Sequence, residues 1–363
     1  MSATGASAEE SAVPEISAPS AILVDYATGQ IIYEKNPDEK LPLASVTKIM
    51  TMLLAMEEID AGNMKYDDII TGSAHAKSYG GSTIFLEEGE QITVHDIMKG
   101  IAVASGNDAA VAMGEHISGT EALFVERMNR RAAELGMTNT HFVNCNGLDA
   151  DGHYSSARDI AIMSRELMKH EGIFQFTTIW MDSLRNGAFT LSNTNKLVKF
   201  YDGCTGLKTG STSKAKFCIS ATAKRGGMHL IAVIMAAETS KQRQADASTL
   251  LNYGFSAYSV DEVIKNGAVI KKSEVSKSTV ENVDIVTESD YSYLHKKSDN
   301  VKIETRETIK KIKAPVHKGD EAGSLSILIN GEEKHKIKLI YASDAPKAGF
   351  GYVFKGLLYD FVC

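Results

Sequence analysis

Apolar and polar positions alternate and cluster in a way that divides the chain into strands and helices. Residues 20–36 (SAILVDYATGQIIYEKN) set two apolar runs around Ala27-Thr28-Gly29, which predicts a strand hairpin. Residues 44–60 form a long apolar-rich stretch with helical spacing. Thr93-Val94-His95-Asp96 resembles a capping box opening a helix through about Val103, and a second helix is expected from about Asp108 to Ile117. Ser118-Gly119-Thr120-Glu121 resembles another capping box. After it Phe124, Met128, Ala132 and Leu135 share one face, and Gly136 suits the stop. Between 204 and 238 the texture changes: FCISATA and MHLIAVIMA predict adjacent strands turning at Lys224-Arg225-Gly226-Gly227. Residues 240–253 return to a helical pattern. Strands, many helices, strands and a helix, segregated in this way, predict an α+β domain with a mostly antiparallel sheet.

After about residue 262 helix signals become rare. Leu325, Ile327 and Ile329 alternate, Asn330-Gly331 marks a tight turn, and Ile337, Leu339 and Tyr341 alternate beyond it. Val301, Ile303 and Thr305 alternate as well. The expected organisation is a flexible segment at 1–18, an α+β domain at 19–262, a small all-β C-terminal domain at 263–346, and an apolar tail at 347–363. From Phe350 to Cys363 only Lys355 and Asp360 are charged. Fourteen residues are too short to span a bilayer, so this segment is either a last packed helix or an amphipathic membrane anchor.

Composition narrows the function classes. The 363 residues are 43% hydrophobic and 23% charged, an ordinary globular balance. The net charge of −7 argues against a nucleic-acid partner, which selects for basic excess. Four cysteines (145, 204, 218 and 363) are too few for a disulfide scaffold, and their spacing selects no pairing. Neither C-x-x-C nor H-E-x-x-H occurs, so no zinc motif supports a metal site. Residues 1–18 carry no basic n-region and no apolar h-region: read literally this is a cytosolic start, read otherwise Met1 replaces a removed signal peptide and the Ala/Ser/Glu stretch is the mature start, and composition favours neither.

Three short patterns could carry chemistry. In Ser45-Val46-Thr47-Lys48, positions i and i+3 bring a hydroxyl and an amine together at the head of an apolar helix. A desolvated lysine loses its proton more easily and can then take the serine proton. Ser105-Gly106-Asn107 falls in the break between two helices, where a hydroxyl can relay a proton and a carboxamide can hold a substrate amide. Lys208-Thr209-Gly210, followed by Ser211-Thr212, precedes the late strands. There a lysine supplies charge, hydroxyls bind a carboxylate, and a glycine lets a ligand backbone approach. Each pattern alone is weak. Ser211 to Lys214 and Ser213 to Lys216 also match S-x-x-K, and Ser298-Asp299-Asn300 matches S-x-N.

The ordered set S-x-x-K, S-x-N, K-T-G is another matter, since it is the signature of the penicillin-recognising serine enzymes. The sequence resembles the low-molecular-weight penicillin-binding proteins, serine-type D-Ala-D-Ala carboxypeptidases of peptidase family S11. The likeness extends to LASVTKIMTMLLAME, SGNDAAVAM, MNRRAAELGMTNTHFVNCNGL, HYSSARDIAIMS, TGLKTGST and RQADASTLLNYGF, and to KAPVHKGDEAGSLSILING in the β region. It implies a transpeptidase/β-lactamase-like domain, with an antiparallel sheet against a helical lobe, then a small all-β domain and a membrane-associated tail. It implies Ser45 as nucleophile, Lys48 as general base, Ser105 and Asn107 as proton relay and substrate holder, and Lys208 as an electrostatic anchor. Thr209 and Arg243 would meet the substrate carboxylate beside Gly210, and the N–H groups of Ser45 and Ser211 would form the oxyanion hole.

The implied activity is removal of the terminal D-alanine from peptidoglycan stem peptides through an acyl-enzyme, with β-lactams acylating the same serine. The implied partners are the stem peptide, β-lactams and, through the tail, a membrane surface. The implied location is extracytoplasmic, peripheral to the outer face of the cytoplasmic membrane. No metal or organic cofactor is implied. A serine β-lactamase shares the triplets, but the class A deacylating glutamate is missing where its E-x-x-L-N motif would put it: three residues before Leu251-Asn252 stands Ser248. A catalytically idle wall-binding or sporulation scaffold is the other alternative.

Overall fold

The structure, a computed structural model, describes residues 13–350. The chain forms two compact units that meet between Ala257 and Tyr258. The boundary expected at 262 moves upstream because Tyr258 already begins a strand of the second unit.

The first unit is built on a five-stranded antiparallel sheet. Its strands are β1 (Ser20–Asp25), β2 (Ile31–Lys35), β3 (Cys204–Thr212), β4 (Lys216–Arg225) and β5 (Met228–Ala237), in the order β2-β1-β5-β4-β3. β3 is therefore an edge. β1 and β5 are buried almost throughout because helices cover both faces of the sheet. Ile22, Val24, Ile231 and Val233 join the core shared with the helical lobe. On the other face, a Cβ at Gly254 of the helix Ser240–Ala257 would stand 2.5 Å from Leu230 and 3.1 Å from Leu23, so the helix sits down directly on the sheet.

The helical lobe comprises α1 (Lys48–Asp60), α2 (Val94–Ala102), α3 (Asn107–Ser118), α4 (Glu121–Glu134) and α5 (Ala157–Leu167). In α1 every residue from Lys48 to Met56 is buried, which makes it the central helix and explains its apolar, barely amphipathic sequence. The cap of α2 is Thr93, whose hydroxyl accepts from the Asp96 N–H at 3.1 Å. The cap of α4 is Thr120, not Ser118, because Gly119 (φ 82°) turns the chain first. On α4, Phe124, Met128 and Ala132 face inward as expected.

Two expectations about the ends need separate statements. The described part of the segment expected to be flexible is packed. Ile16 is 2% exposed, its carbonyl accepts from Lys35 Nζ at 2.6 Å, and the Ala18 N–H donates to Asp246 at 2.9 Å. The tail beyond Phe350, with its anchor reading, lies outside the described residues. Among the described residues no helix is long and apolar enough to cross a membrane.

The second unit is all-β where described as strands. A five-stranded sheet carries Val269–Glu274, Asn282–Thr287, Glu332–Tyr341, Glu321–Ile329 and Ile303–Ile309 in that spatial order, and Tyr258–Ile264 pairs with Tyr291–Lys296. The Asn330-Gly331 turn has φ of 53° and 84°, the pair of positive values a two-residue hairpin needs. The α+β expectation with a small all-β domain after it is thus met.

Packing of the lobe generates one prediction. Phe124 is fully buried, and its ring lies so close to Gly114 that a Cβ there would be 2.8 Å away. Phe124→Ala should cost about 3–5 kcal/mol of stability in urea unfolding followed by intrinsic fluorescence. A loss below about 1 kcal/mol would mean that the lobe collapses into the space.

Candidate active site

Ser45 does not sit on the long helix itself. It lies in a 3₁₀ turn, Ala44–Thr47, that leads into α1. Three-residue periodicity eclipses positions i and i+3, so Ser45 and Lys48 stack more directly than on an α-helix. Ala44 has φ of 48°, a left-handed conformation that costs a non-glycine residue energy and is held by its surroundings. Two glycines press on this turn. A Cβ at Gly147 would collide with the Ala44 carbonyl, and one at Gly210 would lie 2.7 Å from Leu43 O and 2.8 Å from Ser45 N. Glycine at 210 therefore keeps the Ser45 amide uncovered while β3 closes on it.

Lys48 is fully buried, and its amine has three neighbours: Asn146 O at 2.6 Å, Asn107 Oδ1 at 2.7 Å and Ser45 Oγ at 3.1 Å. Burial pushes its pKa down to about 7. A neutral amine keeps two N–H bonds and one lone pair. The two carbonyl oxygens can take the N–H bonds, which turns the lone pair toward the Ser45 hydroxyl. That is the arrangement of a general base.

Asn107 begins α3 and does more than the sequence suggested. Its Oδ1 receives Lys48, its Nδ2 donates to Gly80 O at 2.8 Å, and its N–H donates to Ser82 O at 2.7 Å. Next to it the buried Asp108 carboxylate accepts from the N–H groups of Ile84 (3.0 Å), Leu86 (2.9 Å) and Ala109 (2.8 Å). Those bonds tie the 80–86 loop to the start of α3. Ser105 precedes them at φ 62°, 4% exposed.

On the opposite wall β3 brings Lys208, Thr209, Gly210 and Ser211. Lys208 is 1% exposed and its amine donates to Thr209 O at 3.1 Å. Burial holds its pKa well below the lysine range, and the neighbouring Lys48 and Arg243 charges push the same way. The Lys48 contribution vanishes when that amine is neutral. Arg243, on the helix Ser240–Ala257, donates to Gly210 O and Cys218 O at 3.3 Å each and to Ser240 Oγ at 3.2 Å. Its Nε is buried with no partner among the described residues, and burial lowers its pKa to about 10.

Ser45, Ser105, Thr209, Gly210, Ser211 and Arg243 line one cavity of about 290 Å³, together with Ser82, Thr194, Phe217 and Ser240. Lys48, Asn107 and Lys208 stand behind that lining. A cavity of about 400 Å³ between Ile22, Arg158 and Arg165 shares none of these residues. The decoy triplets fall away. Lys214 is 62% exposed near Asp151, Lys216 is 44% exposed beside Glu238, and the Ser298 hydroxyl lies 3.5 Å from Asp299 Oδ1 in its own exposed turn. Among the described residues Cys145, Cys204 and Cys218 are free, burial pushes the Cys204 thiol up to about 11, and no group of side chains suits a metal ion.

Sequence reasoning missed four residues. Asn146 supplies a carbonyl, which no side-chain motif reveals. Ser82 and Thr194, the latter accepting from Thr209 Oγ1 at 2.7 Å, lie in unremarkable polar stretches. Asp108 alone had a signal, as the acid directly after Ser105-Gly106-Asn107.

The family model described as D-alanyl-D-alanine carboxypeptidase matches residues 6–239. The chain belongs to this family. The model for the C-terminal domain of penicillin-binding protein 5 matches residues 258–347. The D-alanyl-D-alanine carboxypeptidase DacF of Bacillus subtilis is 46% identical over 338 residues, 92% of this chain and 87% of that protein. Penicillin-binding protein 5 from Haemophilus influenzae superposes with a TM-score of 0.76 at 30% identity, covering 92% of this chain and 99% of that one. Penicillin-binding protein D2 from Listeria monocytogenes, solved in its ampicillin-bound form, covers 66% of this chain and 98% of its own at 31% identity and a TM-score of 0.61. The protein is a serine-type D-Ala-D-Ala carboxypeptidase with the transpeptidase/β-lactamase-like fold.

The Lys48 environment gives a pH prediction. An amine that takes the Ser45 proton works only when unprotonated, so if Lys48 fills that role the benzylpenicillin acylation rate should rise with pH and pass half-maximum near 7. Time-resolved intact mass spectrometry measures it, and a rate that stays flat across this range would remove Lys48 from the role.

Proposed function

We propose that Ser45 attacks the carbonyl of the penultimate D-alanine while Lys48 takes the hydroxyl proton. The amide C–N bond then breaks, and the proton passes by way of Ser105 to the departing amine of the terminal D-alanine. Water adds to the Ser45 ester, its proton returns through the same groups, and the trimmed peptide leaves. The N–H groups of Ser45 and Ser211 stabilise the oxyanion in both halves. Asn107 fixes Lys48 and holds the substrate amide, and Lys208 keeps the cavity positive. Thr209 and Arg243 receive the terminal carboxylate.

One observation carries this assignment. Lys48 is the buried amine with a depressed pKa that lies 3.1 Å from a cavity-lining serine hydroxyl. We further propose that the protein works outside the cytoplasmic membrane, with residues 347–363 resting on the membrane surface. The family's peptidoglycan substrate supports the first, and the two charges among residues 350–363 support the second.

Benzylpenicillin should add one covalent equivalent, on Ser45. Peptide mapping that found the adduct on Ser211 or Ser213 would overturn the assignment. Arg243→Ala should lower kcat/KM for a peptide ending in D-Ala-D-Ala by about 10- to 150-fold, the worth of one charge-assisted hydrogen bond of about 1.5–3 kcal/mol. The same peptide with its terminal carboxylate amidated should lose far less, because it has no charge to read. Equal losses in D-alanine and D-alaninamide release would make Arg243 a support of the fold.

A further inference from the structure

We propose that Glu121 is a positioning residue for the reaction: its carboxylate holds the Cys145 amide and thereby places the neighbouring Asn146 carbonyl, against which the Lys48 amine is aligned. The proposal rests on the reading of Lys48 as the base.

Glu121 is the acid that the sequence pattern enlists in a cap at Ser118. The structure frees it from that task, because Thr120 caps α4 by accepting from the Leu123 N–H at 3.2 Å. The Glu121 side chain is 12% exposed and turns toward two segments remote in sequence. Its Oε2 accepts from Tyr79 OH at 2.6 Å and lies 2.9 Å from His75 Nε2. Its Oε1 accepts from the Cys145 N–H and from Cys145 Sγ at 3.3 Å each. Burial opposes a charge here, but the bonds from Tyr79, His75 and Cys145 outweigh it and hold the carboxyl below its usual pKa.

Cys145 directly precedes the residue whose carbonyl meets Lys48. The two peptide groups that flank its Cα are both fixed: Glu121 takes the N–H, and Thr51 Oγ1 donates to the carbonyl at 2.6 Å. Thr51 stands on α1 one turn beyond Lys48. Cys145 and Asn146 are fully buried, and the Asn146 carbonyl, one peptide unit further on, reaches Lys48 Nζ at 2.6 Å. That oxygen takes one of the amine's N–H bonds, so its place decides where the lone pair points. Proton transfer to a misaimed lone pair is slow, and small displacements cost rate steeply. The thiol adds no second charge beside the amine. Burial first, then the charge and hydrogen bond of Glu121, push its pKa well above the usual cysteine range.

The test sets reach against charge. Glu121→Asp keeps the charge at the head of α4 but withdraws the oxygens from Cys145 by the length of one C–C bond. Glu121→Gln removes the charge but keeps an amide oxygen for the Cys145 N–H, while Tyr79 OH and a His75 ring nitrogen can accept from its NH2 group. Time-resolved intact mass spectrometry of the full chain with benzylpenicillin gives the acylation rate on the high-pH plateau, where Lys48 is already unprotonated. Thermal unfolding followed by circular dichroism sets an assay temperature at which both variants are folded. Glu121→Asp should lower the plateau by about three- to ten-fold, the worth of one hydrogen bond. Glu121→Gln should stay within about two-fold of the wild type. A charge that merely stabilises the helix end predicts the reverse order. A plateau that Glu121→Asp leaves intact, or a loss in Glu121→Gln as large as in Glu121→Asp, overturns the proposal. A wild-type rate flat in pH, with penicillin still on Ser45, would instead overturn the reading of Lys48 on which it rests.

Discussion

Everything in the catalytic unit follows from burying one lysine. An ammonium ion removed from water without a carboxylate partner loses several kcal/mol of hydration, and its cheapest response is to give up the proton. Lys48 is placed where this happens: on the central helix, wholly enclosed, with carbonyl and amide oxygens around it and no carboxylate among its hydrogen-bond partners. A carboxylate there would hold the proton on the amine. The nearest acid at the start of α3, Asp108, is spent on backbone N–H groups of the 80–86 loop. So the fold needs an acid nearby for loop structure and directs it away from the amine.

The second constraint is close approach. The serine turn must touch β3 on one side and the 144–148 loop on the other, and only glycine permits both contacts. The left-handed conformations at Ala44 and Ser105 fit the same logic. Neither position is glycine, and each leads directly into a site segment. Their cost is of order 1–3 kcal/mol each, sustained by the surrounding packing, and they aim side chains that relaxed backbone would turn elsewhere. A serine and an amine held in this way need no rearrangement to exchange a proton.

Much of this was legible in the sequence, for reasons that differ by residue. The strands at 20–35 and 204–237 and the helices around 94–134 announced themselves because periodicity and turn residues agree. The three triplets were legible because side-chain chemistry must be written in residue types. What was not legible had no residue type to carry it. The Asn146 carbonyl could belong to any residue, and Thr194, which follows the hairpin of Met181–Leu184 and Phe189–Ser192, meets Thr209 only in the folded chain. The α4 cap was misplaced by two positions since Ser118 and Thr120 are equally good hydroxyls, and the φ of Gly119 decides between them. Residues 13–18 belong to a segment, 1–18, whose mostly small, polar and acidic composition reads as a flexible lead. Their order comes from Asp246 and Lys35, partners remote in sequence.

The charges of the cavity complete the argument. The chain is acidic overall, at −7, yet Lys48, Lys208 and Arg243 are gathered within one buried site and none forms an ion pair among the described residues. Arg243 even leaves a buried Nε without a partner. A fold selected for stability alone would replace such groups with apolar side chains of similar volume, which is often neutral or stabilising. Their retention makes sense when an anion completes the set. Burial lowers the pKa of both lysines, that of Lys48 to about 7, while Arg243, at about 10, remains charged at neutral pH. The site therefore divides one electrostatic field into two functions. On the proposed assignment Lys48 becomes neutral enough to take a proton, and Arg243 stays positive enough to select a peptide that ends in a free carboxylate.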